Sequence, residues 1–511
     1  MRALISAYDK SGLAPFARGL ADLDFELVAS GGTATFLEEA GLHVTKVEEI
    51  TGFPELLEGR VKTLHPRIHA GILARRGREP DEAQLAQHRI EPFELVCVNL
   101  YPFEKGAAGL DGDEASLVEL IDIGGPSLLR GAAKNFASVA AVCRPEDYDG
   151  VLDELRTNGG EISLATRRRL AATAFATTAA YDAAIAGWFQ REEIFPDTVS
   201  LAFDKERELA YGENPHQRAA YYALRSARAH LLSRVEQLRG KPLSFNNLND
   251  LSSARLLLAE LDDPACVIVK HANPCGVAVA GTIEEAYENA LAADPVSAYG
   301  GVVVLNRAVS AALGEALAAQ FVEVLFAPGY DEQAMEALAQ KASVRVLNDL
   351  ERRRSAAERW DFRHVLGGLL VQDFDAEAPV REAMDVACGE LDEARWRDLL
   401  FAWCVVKHVR SNAIVLAKGG QTIGIGAGQM SRVDAVRIAL DKARELGHEP
   451  NGAVLASDAF FPFPDGPQLA LDAGVSAFIQ PGGSKRDGEV IETVSRAGGA
   501  MVFTHRRHFR H

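Results

Sequence analysis

Short apolar runs alternate with amphipathic stretches over the first part of the chain. The runs at 3–5, 26–29 and 95–100 are strand-like, and the segments 11–20 and 33–40 have helical spacing. Strands that alternate with helices predict a parallel, doubly wound α/β sheet. From Ser163 to Phe189 apolar positions recur every three to four residues, which predicts a long, alanine-rich helix.

The polar segment Arg191–Glu208, which has mixed charges, is the predicted linker between two parts of the chain. The residues after it exceed one ordinary core, and they contain a faint internal echo. Val267–His271 is matched by Cys404–His408, and in both places we expect an apolar strand that ends in Lys-His. We therefore predict two similar α/β units in tandem, with a chance match of five residues as the alternative.

Composition favours a globular protein that acts on small molecules. Of 511 residues, 48% are hydrophobic and 25% charged, which is ordinary for a soluble chain with more than one core. The net charge of -18 repels nucleic acids and acidic membranes, so we expect neither as a partner. Because we find no membrane-spanning run and no signal-peptide layout, we expect a cytoplasmic protein. The six cysteines, which include no C-x-x-C pair, are expected to be free thiols.

A glycine-containing turn, Ser30–Thr33, follows the second predicted strand and begins a helix. Its backbone N–H groups and the helix N-terminus suit an anion. Lys10 and the run Arg60–Thr63 add cations and a hydroxyl that could neutralise a phosphate dianion. Plain chain reversal is the alternative, and the turn is neither a Walker A loop nor a dinucleotide fingerprint.

Asn99–Pro102 lies at the end of a buried strand, where open α/β sheets place their ligands. Ile121–Gly125 and Ala133–Asn135 could add an acid, Asp122, and a base, Lys134, as proton-transfer groups. Ordinary turn chemistry is the alternative for both segments.

Lys270 and His271 end another apolar strand, and a histidine beside a lysine suits proton transfer from a weak amine nucleophile. A hydrogen-bonded structural histidine is the alternative. A zinc deaminase, to which Pro274-Cys275 would point, is excluded because no cysteine lies three residues on and no H-x-E motif lies upstream. The histidines at 65 and 69 and at the carboxyl end are poorly arranged as metal ligands, so we expect no metal.

Ten ordered blocks carry a family resemblance along essentially the whole chain: Ser30–Thr33, Gly59–Pro66, Cys97–Phe103, Ile121–Gly125, Tyr211–Gln217, Lys270–His271, Ser411–Asn412, Ile423–Gln429, Ser457–Phe463 and Arg507–His511. Through them the chain resembles the bifunctional purine biosynthesis family that combines AICAR formyltransferase with IMP cyclohydrolase. The resemblance implies a methylglyoxal-synthase-like, doubly wound cyclohydrolase domain with a helical extension over 1–198. It also implies a formyltransferase domain over 199–511, made of two cytidine-deaminase-like α/β subdomains at about 199–365 and 366–511.

The resemblance further implies a homodimer whose formyltransferase sites are built from both chains, with 10-formyltetrahydrofolate as co-substrate and no metal. The implied cyclohydrolase substrate-binding residues are Ser6, Lys10, Ser30, Gly31, Gly32, Thr33, Arg60, Thr63, Asn99 and Gly124. Those implied around the closing ring are Lys62, Tyr101, Asp122 and Lys134.

For the formyltransferase, the resemblance implies His271 as general base and Lys270 as the group that stabilises charge or protonates the folate nitrogen. Asn412 would orient the formyl oxygen. The residues implied to line the nucleotide and folate pockets are Tyr211, Arg432, Phe463, Arg507 and His511.

Two residues depart from the family pattern: Ala210 stands where arginine is usual, and Tyr8 where serine is usual. A lost charge-assisted contact could cost about 1.5 to 3 kcal/mol unless Arg207 or Lys205 substitutes for it. Two alternative functions of the N-terminal domain remain open, a non-catalytic phosphate sensor and a methylglyoxal synthase. The four side chains implied around the closing ring exceed what phosphate binding alone requires.

Overall fold

Within the described residues, the first sheet has five parallel strands, β1 Arg2–Ala7, β2 Glu26–Ala29, β3 Thr45–Lys46, β4 Leu95–Asn99 and β5 Ala140–Val142. Their order across the sheet is β3-β2-β1-β4-β5, so the direction of winding reverses between β1 and β4. The helices of this part are α1 Leu13–Ala21, α2 Gly31–Glu39, α3 Val47–Thr51, α4 Pro66–Leu73, α5 Glu79–His88, α6 Phe103–Gly109, α7 Glu114–Val118, α8 Gly124–Lys134, α9 Tyr148–Thr157 and α10 Leu164–Phe189. The predicted doubly wound sheet and the long predicted helix are confirmed.

The computed structural model describes residues 1–109, 114–225, 232, 235–349 and 360–511. The chain divides into a first unit, Met1–Asp204 with Leu224 and Arg225, and a second unit that holds the rest of the described chain. This division falls inside the predicted linker, but the linker is shorter than expected. A strand, β6 Phe203–Leu209, takes its last residues and pairs with β7 Ala219–Leu224.

Both faces of the first sheet are buried, which explains its nearly continuous apolar strands. Along β1, Ala3 and Ile5 contribute to the core beneath α1 and α9, whereas Leu4 contributes to the core beneath α8 and α10. In the first of these cores the rings of Phe16 and Tyr148 stack with their centroids 4.3 Å apart. The alternation follows from the two-residue side-chain period of a strand.

The remaining strands are β8 Glu236–Arg239, β9 Ala265–Lys270, β10 Asn273–Val279, β11 Gly301–Leu305, β12 Val322–Ala327, β13 Arg345–Asn348, β14 Trp360–Val365, β15 Gly368–Asp373, β16 Asp385–Cys388, β17 Ile414–Lys418, β18 Gln421–Gly426, β19 Val454–Ser457, β20 Ala477–Gln480 and β21 Ala500–Phe503. The remaining helices are α11 Phe245–Leu258, α12 Ile283–Ala293, α13 Pro295–Ala298, α14 Ala311–Ala319, α15 Glu332–Ala339, α16 Glu393–Lys407, α17 Arg432–Glu445, α18 Asp465–Asp472 and α19 Asp487–Arg496. Strands β14 and β15 pair as a separate hairpin.

The predicted duplication is confirmed by the order of these elements. The large sheet runs β16-β21-β20-β19-β17-β18-β10-β9-β11-β12-β13-β8, so its two halves mirror each other about the β10–β18 pair. Helices α11 and α16 cover one face, and the other helices of each repeat cover the opposite face. Even a detail repeats: Gly240 and Gly389 both have positive φ and lie against the backbone of the neighbouring strand.

The two Lys-His segments that prompted this prediction are not structurally equivalent, so the predicted match between them was wrong. Val267–Lys270 lies in strand β9, but Cys404–Lys407 is the last turn of helix α16. Asp392 caps that helix, since its carboxylate accepts from the Arg395 N–H at 2.8 Å. The end of α16 is buried on every side, so its unbroken apolar run has the composition of a buried strand. The structural counterpart of β9 is β17.

Glycines of the two central strands permit close approach of a helix, which gives a stability test. A Cβ added at Gly276 would lie 1.9 Å from the Ala290 oxygen of α12, and one at Gly424 would lie 2.1 Å from the Ala439 oxygen of α17. We expect Gly276→Ala and Gly424→Ala each to lower the free energy of unfolding by about 1 to 3 kcal/mol or more, because backbone must move. Urea unfolding measures this. Gly368→Ala, on β15 with open space around it, is the matched control, and equal stability of all three variants would contradict the packing.

Candidate active sites

A cavity of about 1230 Å³ opens at the carboxyl ends of the first sheet. It lies beyond the ends of β1, β2 and β4, where the winding direction reverses and where ligands bind in folds of this type. The structure brings most of the predicted cyclohydrolase residues to its wall: Ser6, Lys10, Ser30, Gly32, Thr33, Arg60, Lys62, Thr63, Asn99, Tyr101, Asp122 and Gly124.

Two helix N-termini meet at this cavity, those of α2 and α8. The Ser30 side chain does not cap α2, so the first N–H groups of that helix remain free of a side-chain cap. Gly31 has a positive φ of 52°, and a Cβ there would lie 3.0 Å from the Lys62 Nζ. Because helix N-termini carry partial positive charge, this end of the cavity suits an anion such as a phosphate.

Three cations surround the same region, and protein groups already engage each of them. Lys10 donates to the Thr33 hydroxyl at 2.9 Å and to the Ala7 carbonyl, and burial lowers the pKa of Lys10. Arg60 pairs with Glu119, and the Lys62 Nζ lies 3.1 Å from a Glu55 oxygen. An incoming phosphate must therefore compete with two carboxylates, which sequence reasoning did not find.

The surroundings of Asp122 suit both a structural role at the start of a helix and a role in proton transfer. Its Oδ1 accepts from the Gly125 N–H at 2.7 Å at the start of α8, which is an ordinary capping contact. Burial nevertheless raises the pKa of Asp122, against the lowering effect of the Gly125 and Gly124 N–H groups. A carboxyl group with a raised pKa at a cavity wall is suited to proton transfer.

Tyr181, on α10, supports the Asp122 loop, and no sequence motif marks it. Its hydroxyl accepts from the Asp122 N–H at 2.7 Å and donates to the Leu120 carbonyl at 2.8 Å. Burial raises the pKa of Tyr181 to about 12, so the hydroxyl stays protonated and keeps its donor. Its position in the apolar pattern of the helix indicated only a core residue.

The aromatic side of the cavity is formed by Tyr8 and Tyr101, whose rings meet edge to face with centroids 5.4 Å apart. The Asn99 Oδ1 accepts from the N–H groups of Tyr8 and Asp9, at 2.6 and 2.9 Å, so Asn99 holds this loop in shape. Tyr8, where the family resemblance implies serine, thus contributes an aromatic ring to the cavity wall.

Lys134 lies away from this cavity. It is the last residue of α8, whereas Gly124 at the cavity is the first, and eleven helical residues span roughly 15 Å. Lys134 instead lines a separate cleft with Arg130 and Arg168. The structure does not bring it to the other predicted cyclohydrolase residues.

The predicted formyltransferase base, His271, lies in the tight turn between β9 and β10. His271 and Ala272 both have positive φ, 54° and 58°, and their N–H groups donate to the Asp250 carboxylate at 3.3 and 2.7 Å. The second repeat has the same turn between β17 and β18, with glycines 419 and 420 donating to the carboxylate of residue 398 at 2.8 Å each. His271 thus occupies a position where its counterpart is glycine, and non-glycine residues held at positive φ cluster at functional sites.

A cavity of about 420 Å³ borders this turn, and Lys270, His271, Cys275, Asp294 and Lys442 are among its lining residues. The Lys270 Nζ donates to the Tyr299 carbonyl at 2.5 Å, and Lys442 pairs with Asp294 at 3.0 Å. Burial raises the pKa of Cys275 to about 12, so its thiol is not a nucleophile near neutral pH. The His271 side chain is exposed at this site.

Asn412 lies in a loop that contacts the His271 turn, because the Arg410 N–H donates to the Asn273 Oδ1 at 2.9 Å. Both amide hydrogens of Asn412 are donated to carbonyl oxygens, those of residues 429 and 430, at 3.0 and 3.2 Å. Its Oδ1 accepts from Arg432 at 2.7 Å. Arg432 is itself buried and pairs with Asp458, so it positions Asn412 from within the protein.

The remaining predicted pocket residues do not line the cavity at Lys270 and His271. The Tyr211 carbonyl accepts from the Phe245 N–H at the start of α11, and Phe463 lies under the Arg486 guanidinium, 4.9 Å from its ring centroid. At the carboxyl end, Arg507 stacks on the Phe509 ring and the His511 carbonyl accepts from Arg363 at 2.6 Å.

The cysteines at 97, 143, 266, 275, 388 and 404 are all free, as predicted. Among the residues with described positions, no group of three or more His, Cys, Asp or Glu side chains is arranged to hold a metal ion. Within the same residues, no helix has both the length and the apolar character needed to cross a membrane.

These observations define a class: an α/β protein with a separate cavity in each unit, the first of which is bordered by two helix N-termini and cationic side chains. Residues 12–127 match the family model of MGS-like domains, and residues 132–442 match that of the AICARFT/IMPCHase bienzyme. The chain belongs to the AICARFT/IMPCHase bienzyme family, and the resemblance stated from its motifs is confirmed.

Full-length relatives agree with this assignment. The bifunctional purine biosynthesis protein PurH of Magnetococcus marinus is 50% identical over 529 residues, which cover 100% of this chain and 99% of the relative. PurH of Acidithiobacillus ferrooxidans is 49% identical over 519 residues, again covering 100% and 99%. The crystal structure of ForH shares 40% identity and covers 37% of this chain and 98% of its own, but its TM-score of 0.34 supports no structural argument.

The carboxylates that pair with Arg60 and Lys62 compete with an anionic ligand for these cations, so their removal should change the affinity of the first cavity for that ligand. We expect Glu119→Gln and Glu55→Gln each to tighten binding of a purine nucleoside monophosphate by roughly two- to fivefold, the range of a weak exposed ion pair. Titration calorimetry at low salt measures this. Glu38→Gln removes the same charge from an exposed pair with Lys46 and is the control. Weaker binding by the first two variants would show that the glutamates hold the cations in place for the ligand.

Proposed function

We propose that the two units carry out the two successive reactions named for the family, formyl transfer and ring closure. The second unit transfers a formyl group from 10-formyltetrahydrofolate to the 5-amino group of AICAR. The first unit then closes the resulting formamide, FAICAR, to IMP with loss of water. The observation that carries this proposal is that one chain of this family holds two separate cavities, and the predicted residues for each reaction lie in a different unit.

For ring closure, the N-termini of α2 and α8 with Lys10 and Arg60 hold the ribotide phosphate. The carboxamide nitrogen must then attack the formamide carbon of the same molecule, so fixing a near-attack geometry supplies much of the rate. In this proposal Lys62 and Tyr101, which line the cavity, stabilise the developing oxyanion, and Asp122 moves protons. Lys134 is left out of this mechanism because its position lies outside the cavity.

For formyl transfer, the nucleophile is an amine whose lone pair is delocalised into the imidazole ring. His271 takes its proton as it attacks the formyl carbon, which contributes about 10²- to 10⁴-fold. Lys270 stabilises the developing charge or protonates the leaving folate nitrogen, and it must first give up its contact with the Tyr299 carbonyl. Asn412 acts by shaping the loop beside His271, because both of its amide hydrogens are already donated to carbonyls.

We further propose that the chain works as a cytoplasmic homodimer without nucleic-acid or membrane partners. Tyr211, Phe463, Arg507 and His511 lie outside the Lys270 cavity of the single chain. A formyltransferase site completed by a second copy would account for these residues, as the family resemblance implies.

Product analysis tests the two assignments together. Supplied with AICAR and 10-formyltetrahydrofolate, the chain should yield IMP. His271→Ala should slow formyl transfer by roughly 10²- to 10⁴-fold and leave cyclisation of supplied FAICAR nearly intact, whereas Asp122→Asn should do the reverse. If the wild-type chain accumulates FAICAR, the first unit is a phosphate sensor rather than an enzyme. Methylglyoxal formed from dihydroxyacetone phosphate would instead identify a synthase.

The raised pKa of Asp122 predicts a pH dependence for cyclisation. If the carboxylate form accepts a proton, kcat/KM for FAICAR should fall as the pH drops through the raised value, above the ordinary aspartate value of about 3.9. Initial rates across an acid pH series measure this. Asp122→Asn should remove that acid limb from its residual activity, and an unchanged limb in the variant would assign the titration to another group.

A further inference from the structure

The Lys407-His408 pair at the end of α16 is not the structural counterpart of Lys270-His271. It lies in a buried cluster of charged groups. The His408 Nε2 is 2.6 Å from a Glu260 oxygen, and the Lys407 Nζ is 3.1 Å from the same oxygen. The side chains of Lys407 and His408 are only 7% and 8% exposed. Burial on this scale requires paired charges, so the cluster has a definite hydrogen-bond pattern.

The contacts of His408 determine its protonation state. On one side its Nε2 faces the Glu260 carboxylate, and on the other its Nδ1 lies 3.4 Å from an Arg510 nitrogen. Because a guanidinium has only donors, Nδ1 must be the acceptor and Nε2 the donor. Burial lowers the pKa of His408, and the nearby Arg510 and Lys407 cations act in the same direction, against the raising effect of the Glu260 carboxylate. His408 is therefore a neutral bridge between a carboxylate and a guanidinium.

Arg510 connects this bridge to the loop of Asn412. Its guanidinium donates to the Ser253 hydroxyl of α11 at 3.1 Å and lies 3.5 Å from the His408 carbonyl, at the negative end of α16. Its own backbone carbonyl accepts from the Ser411 N–H at 2.8 Å. The carboxyl-terminal segment is thus held on the residue that precedes Asn412.

A second route leads from Lys407 to the same loop. Lys407 donates to the Glu377 carbonyl at 2.8 Å and lies 3.9 Å from Asp375, which in turn holds the His508 Nδ1 at 2.6 Å. The His508 N–H donates to the carbonyl of Asp458, the partner of Arg432. Both series of contacts therefore end at groups next to Asn412, namely Ser411 and the Asp458–Arg432 pair.

We propose that Glu260, Lys407 and His408 are positioning residues for formyl transfer. They clamp the carboxyl-terminal segment, residues 504–511, against the Ser411–Asn412 loop and so set the place of Arg507 and His511. This inference rests on the proposed function of the second unit. It gives Lys407 and His408 a role that their sequence match to Lys270 and His271 did not indicate. The clamp acts through other residues and touches no reacting atom.

The test compares His408→Ala with His408→Gln in the full chain. His408→Ala should lower kcat/KM for formyl transfer by roughly 10- to 100-fold, the size of effect expected when reacting groups shift by about an ångström. Cyclisation of FAICAR should change less than about twofold, since its residues belong to the first unit. His408→Gln, whose amide can still donate to Glu260, should recover most of the loss. His448→Ala, which removes a half-buried histidine bonded to the Ala292 carbonyl, is the matched control and should leave both activities unchanged.

Hydrogen exchange of the 504–511 peptide, followed by mass spectrometry, gives a readout that does not need activity. The clamp predicts faster exchange there in His408→Ala and near wild-type exchange in His408→Gln. Unchanged exchange together with unchanged formyl transfer would overturn the proposal, as would equal loss of both activities with a lowered melting temperature. If His408→Ala does not fold, Glu260→Gln is used in its place with the same expectations. A wild-type chain inactive in formyl transfer would refute the proposed function instead, and exchange alone would then decide the clamp.

Discussion

Strand β10 meets strand β18 at the centre of the large sheet, and the geometry of the second site depends on this pairing. The hydroxyl of Thr422, which is fully buried, accepts from the Val277 N–H at 3.0 Å and donates to the Val277 carbonyl at 3.3 Å. The turn that carries His271 leads into β10, and the loop of Asn412 leads into β17, the neighbour of β18. A shift at this junction would therefore separate the two loops of the site.

The first site depends on a different constraint, the meeting of two helix N-termini beyond a parallel sheet. Such a site needs little from side chains because backbone N–H groups and helix ends supply the positive potential. The positive charges of Arg60 and Lys62 are balanced by Glu119 and Glu55. A ligand must therefore compete with these carboxylates for the two cations. This balance suits a site that must release a phosphorylated product as well as bind a phosphorylated substrate.

Duplication followed by divergence explains the second unit. Both repeats hold a hairpin turn with a carboxylate beneath it, and only the first repeat has a histidine in that turn. A non-glycine residue at positive φ costs on the order of 1 to 3 kcal/mol, and the surrounding contacts must sustain it. The second repeat retains glycines in its turn and contributes the end of α16 to a buried ionic cluster instead. In the proposed mechanism, the first repeat supplies the general base and the second repeat supplies support.

The sequence by itself determined the elements whose signals are local. The alternating runs of the first unit, the glycine turn at Ser30–Thr33 that begins a helix, and the long helix after Ser163 could be predicted because strand and helix periods, glycine turns and caps act over a few residues. The tertiary structure alone decided the rest. The apolar run Cys404–Lys407 became a helix because burial on all sides removes the polar face that distinguishes the two periods. Lys134 lies outside the cavity because helix α8 extends away from it. The amide of Asn412 forms hydrogen bonds with groups about 17 to 20 residues further along the chain. Such placements depend on long-range packing, which no local pattern encodes.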